Sequence, residues 1–191
     1  DDPVDHPISL YAATKRANEL FAHTYSNLFG LRTNGLRFFT VYGPWGRPDM
    51  ALFKFTKAAI DGSTIKVFNH GEMSRDFTYI DDIVDGIERV LFFKSPDRIS
   101  IDEITSSTST SDFRVFNIGR GQPVSLLKFI ELIEKYTKKE IKKEFLPMQD
   151  GDVKETFADT SNLKKETGYN PSFSVEEGVK RFIEWYINFY K

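Results

Sequence analysis

Apolar residues recur along this chain at two spacings, which predict helices that alternate with strands. Between Ser9 and Gly30 the apolar positions return every three or four residues, without a proline or an internal glycine, as in an amphipathic helix. The Ser9 hydroxyl can accept a hydrogen bond from an amide of the first turn, and Gly30 suits the left-handed residue that ends a helix. We therefore predict a first helix here, with an apolar stripe of Leu10, Ala13, Ala17, Leu20, Phe21, His23, Tyr25 and Leu28.

Shorter runs rich in β-branched and aromatic residues predict strands at 33–42, 64–68, 75–80, 114–118 and, more weakly, 141–146. Further helices are predicted at 50–60, after the capping residues Asp81 and Ser125, and after the capping box of Ser174 and Glu177. The last helix is expected to bury Val179, Phe182, Ile183, Tyr186 and Tyr190. Such alternation predicts an α/β fold whose helices surround a mainly parallel sheet.

Seven consecutive hydroxyl residues, Thr105 to Ser111, interrupt the alternation. Because such a run has little apolar surface to bury, it favours an exposed, mobile loop without chemistry.

Composition narrows the possible partners. A formal charge of −2 over 191 residues provides no basic face for nucleic acid. The chain has no cysteine and its three histidines are scattered, so neither disulfides nor a metal site are expected. No apolar run approaches the ~18 residues of a membrane span. We therefore expect a cytoplasmic protein that binds neither nucleic acid nor membrane.

Tyr11 and Lys15 lie four residues apart, on one face of the predicted first helix. A free tyrosine ionises near pH ~10, and a neighbouring ammonium favours its phenolate, which can then act as a base. The same spacing is also common for an aromatic residue and a solvated charge of any amphipathic helix. Spacing alone leaves both interpretations open.

Separated blocks of sequence occur in the order of one known family: Ser9, Tyr11-Ala-Ala-Thr-Lys15, Leu36-Arg-Phe-Phe-Thr-Val-Tyr-Gly43-Pro44 and Arg75-Asp-Phe-Thr-Tyr-Ile-Asp-Asp82. On these blocks the chain resembles the extended short-chain dehydrogenase/reductase family, from about Ser9 to Tyr190. The block Gly43-Pro-Trp-Gly-Arg-Pro-Asp-Met-Ala51 is similar to that of nucleotide-sugar epimerases acting on UDP-glucuronate at C4.

The amino-terminal dinucleotide-binding half of that family, with its glycine-rich loop, is not in this sequence, so we expect a partial chain. Gly119-Arg-Gly121 follows a predicted strand, but Pro123 and Val124 stand where the dinucleotide pattern would continue. We therefore interpret Gly119-Arg-Gly121 as a tight strand-to-helix turn rather than as a dinucleotide-binding loop.

The resemblance implies part of a Rossmann-like doubly wound sheet together with a smaller α/β substrate lobe. Residues 1–48 and 113–138 would belong to the NAD-binding domain. Residues 49–112 and 139–191 would build mainly the UDP-sugar lobe, with the helix at 81–93 returning to the large domain. Without the upstream strands, the apolar stripe of the first helix would be exposed, or covered in a homodimer or another association.

The implied activity is the NAD-dependent interconversion of UDP-glucuronate and UDP-galacturonate through a 4-keto sugar. Tyr11 would be the catalytic base, and Lys15 would assist it and hold the nicotinamide ribose, while the chain alone would be inactive. Two alternatives stay open: a UDP-glucuronate decarboxylase or related UDP-sugar dehydratase, and a non-catalytic fragment that binds a UDP-sugar.

The resemblance also implies contacts to the substrate. Thr40 and Arg47 would contact the sugar acid, since a guanidinium can clamp a carboxylate with two hydrogen bonds. Arg47 can equally pair with Asp49 or stack on Trp45 as an ordinary loop residue.

The nucleotide would be held by other residues. Arg75 would bind the diphosphate, Asp152 the ribose hydroxyls, and Val67 and Phe68 the uracil. The ordinary alternatives are an Arg75 salt bridge to Asp76 or Asp82, core packing of Val67 and Phe68, and a turn at Asp152.

Overall fold

The structure, a computed structural model, describes residues 4–94, 99–149 and 151–190. Its helices are α1 (Leu10–Phe29), α2 (Ala51–Asp61), α3 (Ile80–Phe92), α4 (Leu126–Thr137), α5 (Ser161–Thr167) and α6 (Val175–Tyr190). Its strands are β1 (Thr33–Phe38), β2 (Thr40–Tyr42), β3 (Thr64–Val67), β4 (Ser74–Arg75), β5 (Phe77–Tyr79), β6 (Phe113–Ile118), β7 (Val124–Ser125) and β8 (Lys142–Phe145).

Helix α1 begins and ends at the residues that its sequence signals predict. The Ser9 Oγ accepts the backbone N–H of Ala12 at 3.1 Å. Gly30 takes a left-handed φ of 63° and donates its N–H to the Ser26 carbonyl at 2.9 Å, which ends the helix without the steric cost that a Cβ would add. Both predicted caps of α1 are confirmed.

The described residues of 1–38, 86–118 and 160–169 form one compact unit. Strands β1 and β6 pair in parallel, from Thr33 opposite Phe113 to Phe38 opposite Ile118. Helix α3 packs closely here, since a Cβ on Gly86 would lie 2.3 Å from the Ile118 Cδ1. The buried apolar residues of this unit include Val90, Val115, Phe116, Ile118, Leu163 and Tyr169.

The described residues of 39–85, 119–159 and 170–191 form a second compact unit. Here β2 pairs with β5 and β3 with β8 in parallel, while β4 and β7 are antiparallel. Helices α2, α4 and α6 supply an aromatic core in which the Phe77 and Phe129 rings stack with centroids 4.0 Å apart. The α/β class with parallel pairing is confirmed, whereas the predicted division into a cofactor domain and a substrate lobe stays a prediction.

Several boundaries differ from the sequence prediction. The strand predicted at 33–42 is interrupted at Phe39, because β1 pairs with β6 and β2 with β5. Asp81 is predicted to cap α3 but lies in its first turn. The neighbouring Asp82 carboxylate accepts the backbone N–H groups of Ser172 and Phe173. Tyr190, predicted to be buried, is 51% exposed at the end of α6.

The prediction of an exposed loop for the hydroxyl run 105–111 is wrong in part, because Ser107 and Ser109 are buried. The Ser107 carbonyl accepts the N–H of Val115 at 2.9 Å, and the Ser109 Oγ lies 2.8 Å from the His23 Nε2. These hydrogen bonds attach the run to its unit. Within the described ranges, every helix is too short or too polar to span a membrane.

Candidate functional site

Tyr11 and Lys15 occupy the first two turns of α1 and come together as their spacing predicts. The Lys15 Nζ lies 5.2 Å from the centroid of the Tyr11 ring. Tyr11 is 71% exposed, and both residues line a cleft of about 450 Å³ that Arg37 and residues of the preceding segment also border. The phenol is therefore open to a ligand and adjacent to a cation.

Glu19, one further turn along the same helix, is held by two arginines. From β1, Arg37 donates from Nε to Oε1 at 2.7 Å and from Nη2 to Oε2 at 2.9 Å, and Arg16 donates from Nη1 to Oε2 at 2.9 Å. Partial burial opposes ionisation of Glu19, but the hydrogen bonds from Arg37 and Arg16 outweigh it and hold the pKa of its carboxyl below the ordinary value. Sequence reasoning missed this triad, although Glu19 stands eight residues after Tyr11, on the same helical face.

Lys15 has a different environment from the two arginines. It makes no ion pair with any residue in the part of the chain that the structure describes. Its charge is thus available to Tyr11 and to a ligand in the cleft.

In the second unit, Thr40 and Arg47 line a small pocket of about 60 Å³ whose floor includes Phe77, Phe129 and Phe182. The Arg47 guanidinium is bidentate to Asp49, with Nε–Oδ1 at 3.0 Å and Nη2–Oδ2 at 2.5 Å. This hydrogen bond lowers the pKa of the Asp49 carboxyl. In the structure Arg47 thus pairs with Asp49, which is the ordinary alternative given above. The contact of Arg47 with a sugar acid stays a prediction.

The loop that carries Arg47 is fastened by an aromatic contact. The Trp45 ring lies 5.2 Å from Trp185 and 4.8 Å from Phe189 of α6, centroid to centroid. Trp45 has a φ of 62°, which is strained for a residue with a bulky side chain. Packing on α6 therefore holds the loop in a conformation that its sequence alone would not favour.

Arg75 and Asp152, predicted separately as ligands of the nucleotide, are brought together. The Arg75 Nη2 donates to the Asp152 Oδ1 at 2.8 Å, and the Arg75 Nη1 donates to the Lys154 carbonyl at 3.2 Å. The predicted alternative of a salt bridge to Asp76 or Asp82 is not what the structure has. The chain segment that follows residue 150 is thus attached to β4.

Asp76, which sequence reasoning treated only as a partner of Arg75, is fully buried and organises this region. Its carboxylate accepts the backbone N–H groups of Arg120 at 2.9 Å, Gly121 at 2.8 Å and Ala158 at 3.1 Å. The amides of the Gly119-Arg-Gly121 turn therefore bind a carboxylate of the chain itself.

The residues predicted for uracil lie at the end of β3. Val67 is fully buried, and its carbonyl accepts the N–H of Leu146 at 2.9 Å. Phe68 begins a short turn in which Asn69 and His70 take left-handed φ values of 48° and 49°. Val67 therefore packs in the core, as the ordinary alternative expects. A contact of Val67 or Phe68 with uracil stays a prediction. Across the described ranges, no group of three or more histidine, aspartate or glutamate residues is arranged to hold a metal ion.

With this geometry in view, comparison with known proteins identifies the family. The sequence pattern of the NAD dependent epimerase/dehydratase family matches residues 1–102. The chain belongs to this family. NAD, expected from the resemblance, is therefore the cofactor by which the family itself is described.

Individual relatives are similar over the whole chain. A protein of Rhizobium meliloti named "Probable UDP-glucuronate 4-epimerase" is 50% identical over 193 aligned positions, which cover 100% of this chain and 57% of that protein. The chain spans 52 to 58% of the length of the first curated relatives it matches.

The solved structures of two sugar epimerases are similar to the structure of this chain. The UDP-glucuronic acid 4-epimerase of Bacillus cereus, in complex with UDP-glucuronic acid and NAD, has a TM-score of 0.82 at 31% identity, over 98% of this chain and 57% of that one. The UDP-glucose 4-epimerase of Thermotoga maritima, with UDP-glucose, has a TM-score of 0.83 at 26% identity, over 97% and 56%. One of these two similar structures thus contains an acidic sugar and the other a neutral one.

Proposed function

We propose that a protein carrying this chain, together with the remaining part that its relatives have, is an NAD-dependent UDP-glucuronate 4-epimerase. It would interconvert UDP-glucuronate and UDP-galacturonate. The observation that carries the proposal is the exposed Tyr11 phenol at an open cleft, with the Lys15 Nζ 5.2 Å from its ring. A phenol beside a cation can serve as the general base and acid that oxidation and reduction at a sugar hydroxyl use.

In the proposed mechanism, Tyr11 as phenolate takes the proton of the C4 hydroxyl and returns it once the 4-keto sugar has presented its other face. The charge of Lys15 favours the phenolate, and its ammonium would hold the ribose of the nicotinamide. NAD, when bound, supplies the acceptor and donor of the hydride at C4. The nicotinamide half would lie in the cleft beside Tyr11 and Lys15. The amides of Arg120 and Gly121, which bind Asp76, would not hold the pyrophosphate.

The nucleotide would be held in the second unit. Arg75 would bind the diphosphate and Asp152 the ribose hydroxyls, with Val67 and Phe68 beside the uracil. Support comes from the 2.8 Å contact between Arg75 and Asp152, which places a cation and a hydrogen-bond acceptor side by side. The buried carboxylate of Asp76 keeps the surrounding segments in register.

Selectivity for an acid sugar would depend on Arg47, with Thr40 in the same pocket. Asp49 now occupies the guanidinium with the two parallel contacts that a sugar carboxylate would make. Because the Arg47 and Asp49 side chains are 74% and 59% exposed, solvent screens their pair, and a substrate carboxylate can replace Asp49. The 50% identity to the Rhizobium protein supports the acid sugar, and the fold alone does not choose between sugars.

Association and location are also proposals. Leu20, Phe21, Leu28 and Phe29 of α1 are 54 to 66% exposed, and contiguous apolar surface of this kind commonly marks an interface. We propose a homodimer through α1, or another association that covers it, in a cytoplasmic protein.

Tyr11→Phe in the full-length protein tests the catalytic role. We expect turnover of UDP-glucuronate to fall by about 10²–10⁴-fold or more, because the variant lacks the proton-transferring oxygen. Calorimetry with the UDP-sugar should show nearly unchanged affinity. Tyr25→Phe, on an exposed part of the same helix, is the matched control and should keep activity. Equal losses of affinity and turnover would make Tyr11 a packing residue, and release of CO2 would indicate the decarboxylase instead.

Arg47→Ala tests the substrate. The variant should lose about 10- to 100-fold in kcat/KM for UDP-glucuronate relative to UDP-glucose, because only the acid sugar loses a charge-assisted pair worth ~1.5–3 kcal/mol. Asp49→Ala removes the competing carboxylate and should retain or improve that preference. An unchanged ratio in Arg47→Ala contradicts the assignment.

A further inference from the structure

Tyr11, Lys15 and Glu19 follow one another at intervals of four residues along one face of α1. At this spacing a lysine and a glutamate commonly form an ion pair on the helix surface. A Glu19 carboxylate paired with Lys15 would neutralise the ammonium that Tyr11 needs. The structure has a different arrangement, because Glu19 binds Arg37 and Arg16 while Lys15 lies over the Tyr11 ring.

We propose that Arg37 is a positioning residue which, by holding the Glu19 carboxylate against β1, leaves the Lys15 ammonium un-neutralised beside Tyr11. The catalytic meaning of this arrangement rests on the function proposed above. The arrangement itself concerns only side chains of one compact unit.

The geometry favours Arg37 over Lys15 as the partner of Glu19. Arg37 contacts both carboxylate oxygens, at 2.7 and 2.9 Å, and a bidentate guanidinium fixes the orientation of a carboxylate as a single ammonium does not. The Arg37 and Glu19 side chains are 22% and 16% exposed, so solvent screens this pair less than it would screen a pair with the exposed Lys15. Arg16 adds a third contact from within α1.

The charges around Tyr11 come from α1, β1 and the preceding segment. Within the described part of the chain they are the cations Lys15, Arg16 and Arg37 and the carboxylates Glu19 and Asp5. Asp5 lies 3.7 Å from the Arg16 Nη2, and His6 also borders the cleft. Apart from His6, the described side chains here are three cations and two carboxylates. Loss of Arg37 removes one cation and the two contacts that hold Glu19 against β1, which leaves Glu19 with its contact to Arg16 and lets Lys15 compete for the carboxylate.

The test is a double-mutant cycle read out on the phenol itself. In the full-length protein with ¹³C-labelled tyrosine, the Cζ signal of Tyr11, assigned by its absence in Tyr11→Phe, is titrated in wild type, Glu19→Gln, Arg37→Gln and the double variant. Arg37→Gln should move half-ionisation to higher pH by about 0.5–1 unit, since the opposite charge of Glu19 now partly cancels Lys15. Glu19→Gln should change little in wild type but reverse that shift in the double variant.

Equal effects of Glu19→Gln in both backgrounds would mean that the charges merely add, and this additivity would overturn the proposal. An unmoved Tyr11 signal in folded Arg37→Gln would overturn it too. Arg37→Lys keeps the cation without the planar fork, so it should shift Tyr11 less than Arg37→Gln does, and it replaces Arg37→Gln if circular dichroism shows that variant unfolded.

The pH dependence of turnover separates this proposal from the proposed function. If the enzyme is active, the rising limb of its pH–rate profile should move with the Tyr11 signal in Arg37→Gln. If no variant turns over a UDP-sugar while the cycle remains non-additive, the charge arrangement stands and the proposed function fails. Loss of turnover at every pH without any shift of the phenol would show that Arg37 only maintains packing.

Discussion

Helices α1 and α6 are attached to their own units in opposite ways. Helix α6 buries one continuous face: Val175, Gly178, Val179, Phe182, Ile183 and Tyr186. Of the residues of α1, all of which the structure describes, Ser26 alone is buried. Leu20, Phe21 and Leu28 of α1 are 54 to 66% exposed, so the large aliphatic and phenylalanine side chains of its apolar stripe contribute little to its attachment.

Polar contacts, together with the edge-on packing of the His23 ring on Phe113 at 5.1 Å between centroids, attach α1 to its unit. They are the Glu19–Arg37 pair, the His23–Ser109 contact at 2.8 Å and the hydrogen bond from the Ser26 Oγ to the Asp112 carbonyl at 3.0 Å. Each such contact stabilises by only ~0.5–3 kcal/mol and several depend on ionisation, whereas burial of large apolar side chains is insensitive to pH. The helix that carries Tyr11 and Lys15 is thus positioned by charges and hydrogen bonds, and its apolar face is available to another surface.

Phenylalanine truncation should produce the largest difference between the two helices. Phe182→Ala in α6, where the ring is 1% exposed, should lower the free energy of unfolding by about 3–5 kcal/mol. Phe21→Ala in α1, where the ring is 66% exposed, should change it by no more than ~0.5 kcal/mol. Urea denaturation of both variants measures this. A large loss for Phe21→Ala that grows with protein concentration would show that another copy covers the α1 face.

The two helices also differ in what their sequences revealed. Caps at Ser9, Gly30 and Ser125 were predictable because a cap depends on neighbours within a few residues. The buried face of α6 was predictable from its apolar period, apart from Tyr190 in the last turn. The exposure of the α1 stripe was expected, but its polar inner contacts were not, since their partners lie on β1 and in the hydroxyl run 105–111.

Residues that join distant segments were the least predictable. Asp76 accepts hydrogen bonds from N–H groups of the segments around residues 120 and 158. No local pattern in the sequence predicts contacts between segments so far apart in the chain. Glu19 and Arg37 are likewise 18 residues apart. Helix α5 was missed because its sequence, SNLKKET, is too short and polar to show an apolar period.

A smaller effect is expected from added volume on the buried face of α6. A Cβ on Gly178 would lie 2.2 Å from the Tyr42 Oη, and Tyr42 is itself buried and packed against Phe77 and Phe129. Gly178→Ala should therefore lower the free energy of unfolding by ~1–3 kcal/mol, as overpacking does. The control is Asn18→Ala on the exposed side of α1, expected to be within ~0.5 kcal/mol of wild type. Gly178→Ala with unchanged stability would mean that Tyr42 moves aside without cost.

The smallest effect should be the one that depends on pH, and it belongs to α1. The pKa of the Glu19 carboxyl is held below its ordinary value in the folded chain, although burial opposes this, by the hydrogen bonds from Arg37 and Arg16. A carboxyl with a lowered folded pKa stabilises the fold above its unfolded pKa of ~4.3, and this contribution disappears as the pH falls through the folded pKa. The free energy of unfolding of wild type should therefore exceed that of Glu19→Gln by about 1 kcal/mol at pH 7. This difference should disappear below about pH 4.

Glu177→Gln in α6 is the matched control for that gap, because Glu177 also pairs with an arginine, Arg181, at 2.8 Å. The Glu177 and Arg181 side chains are 43% and 45% exposed, so solvent and salt screen their pair, and the gap should be smaller at every pH and nearly absent at high ionic strength. Urea denaturation from pH 7 to pH 3, at low and high salt, measures both gaps. If the difference in unfolding free energy between wild type and Glu19→Gln stays constant over this range, α1 is held by the shape of the Glu19 side chain and not by its charge. The two helices would then no longer differ as one held by electrostatics and one held by packing.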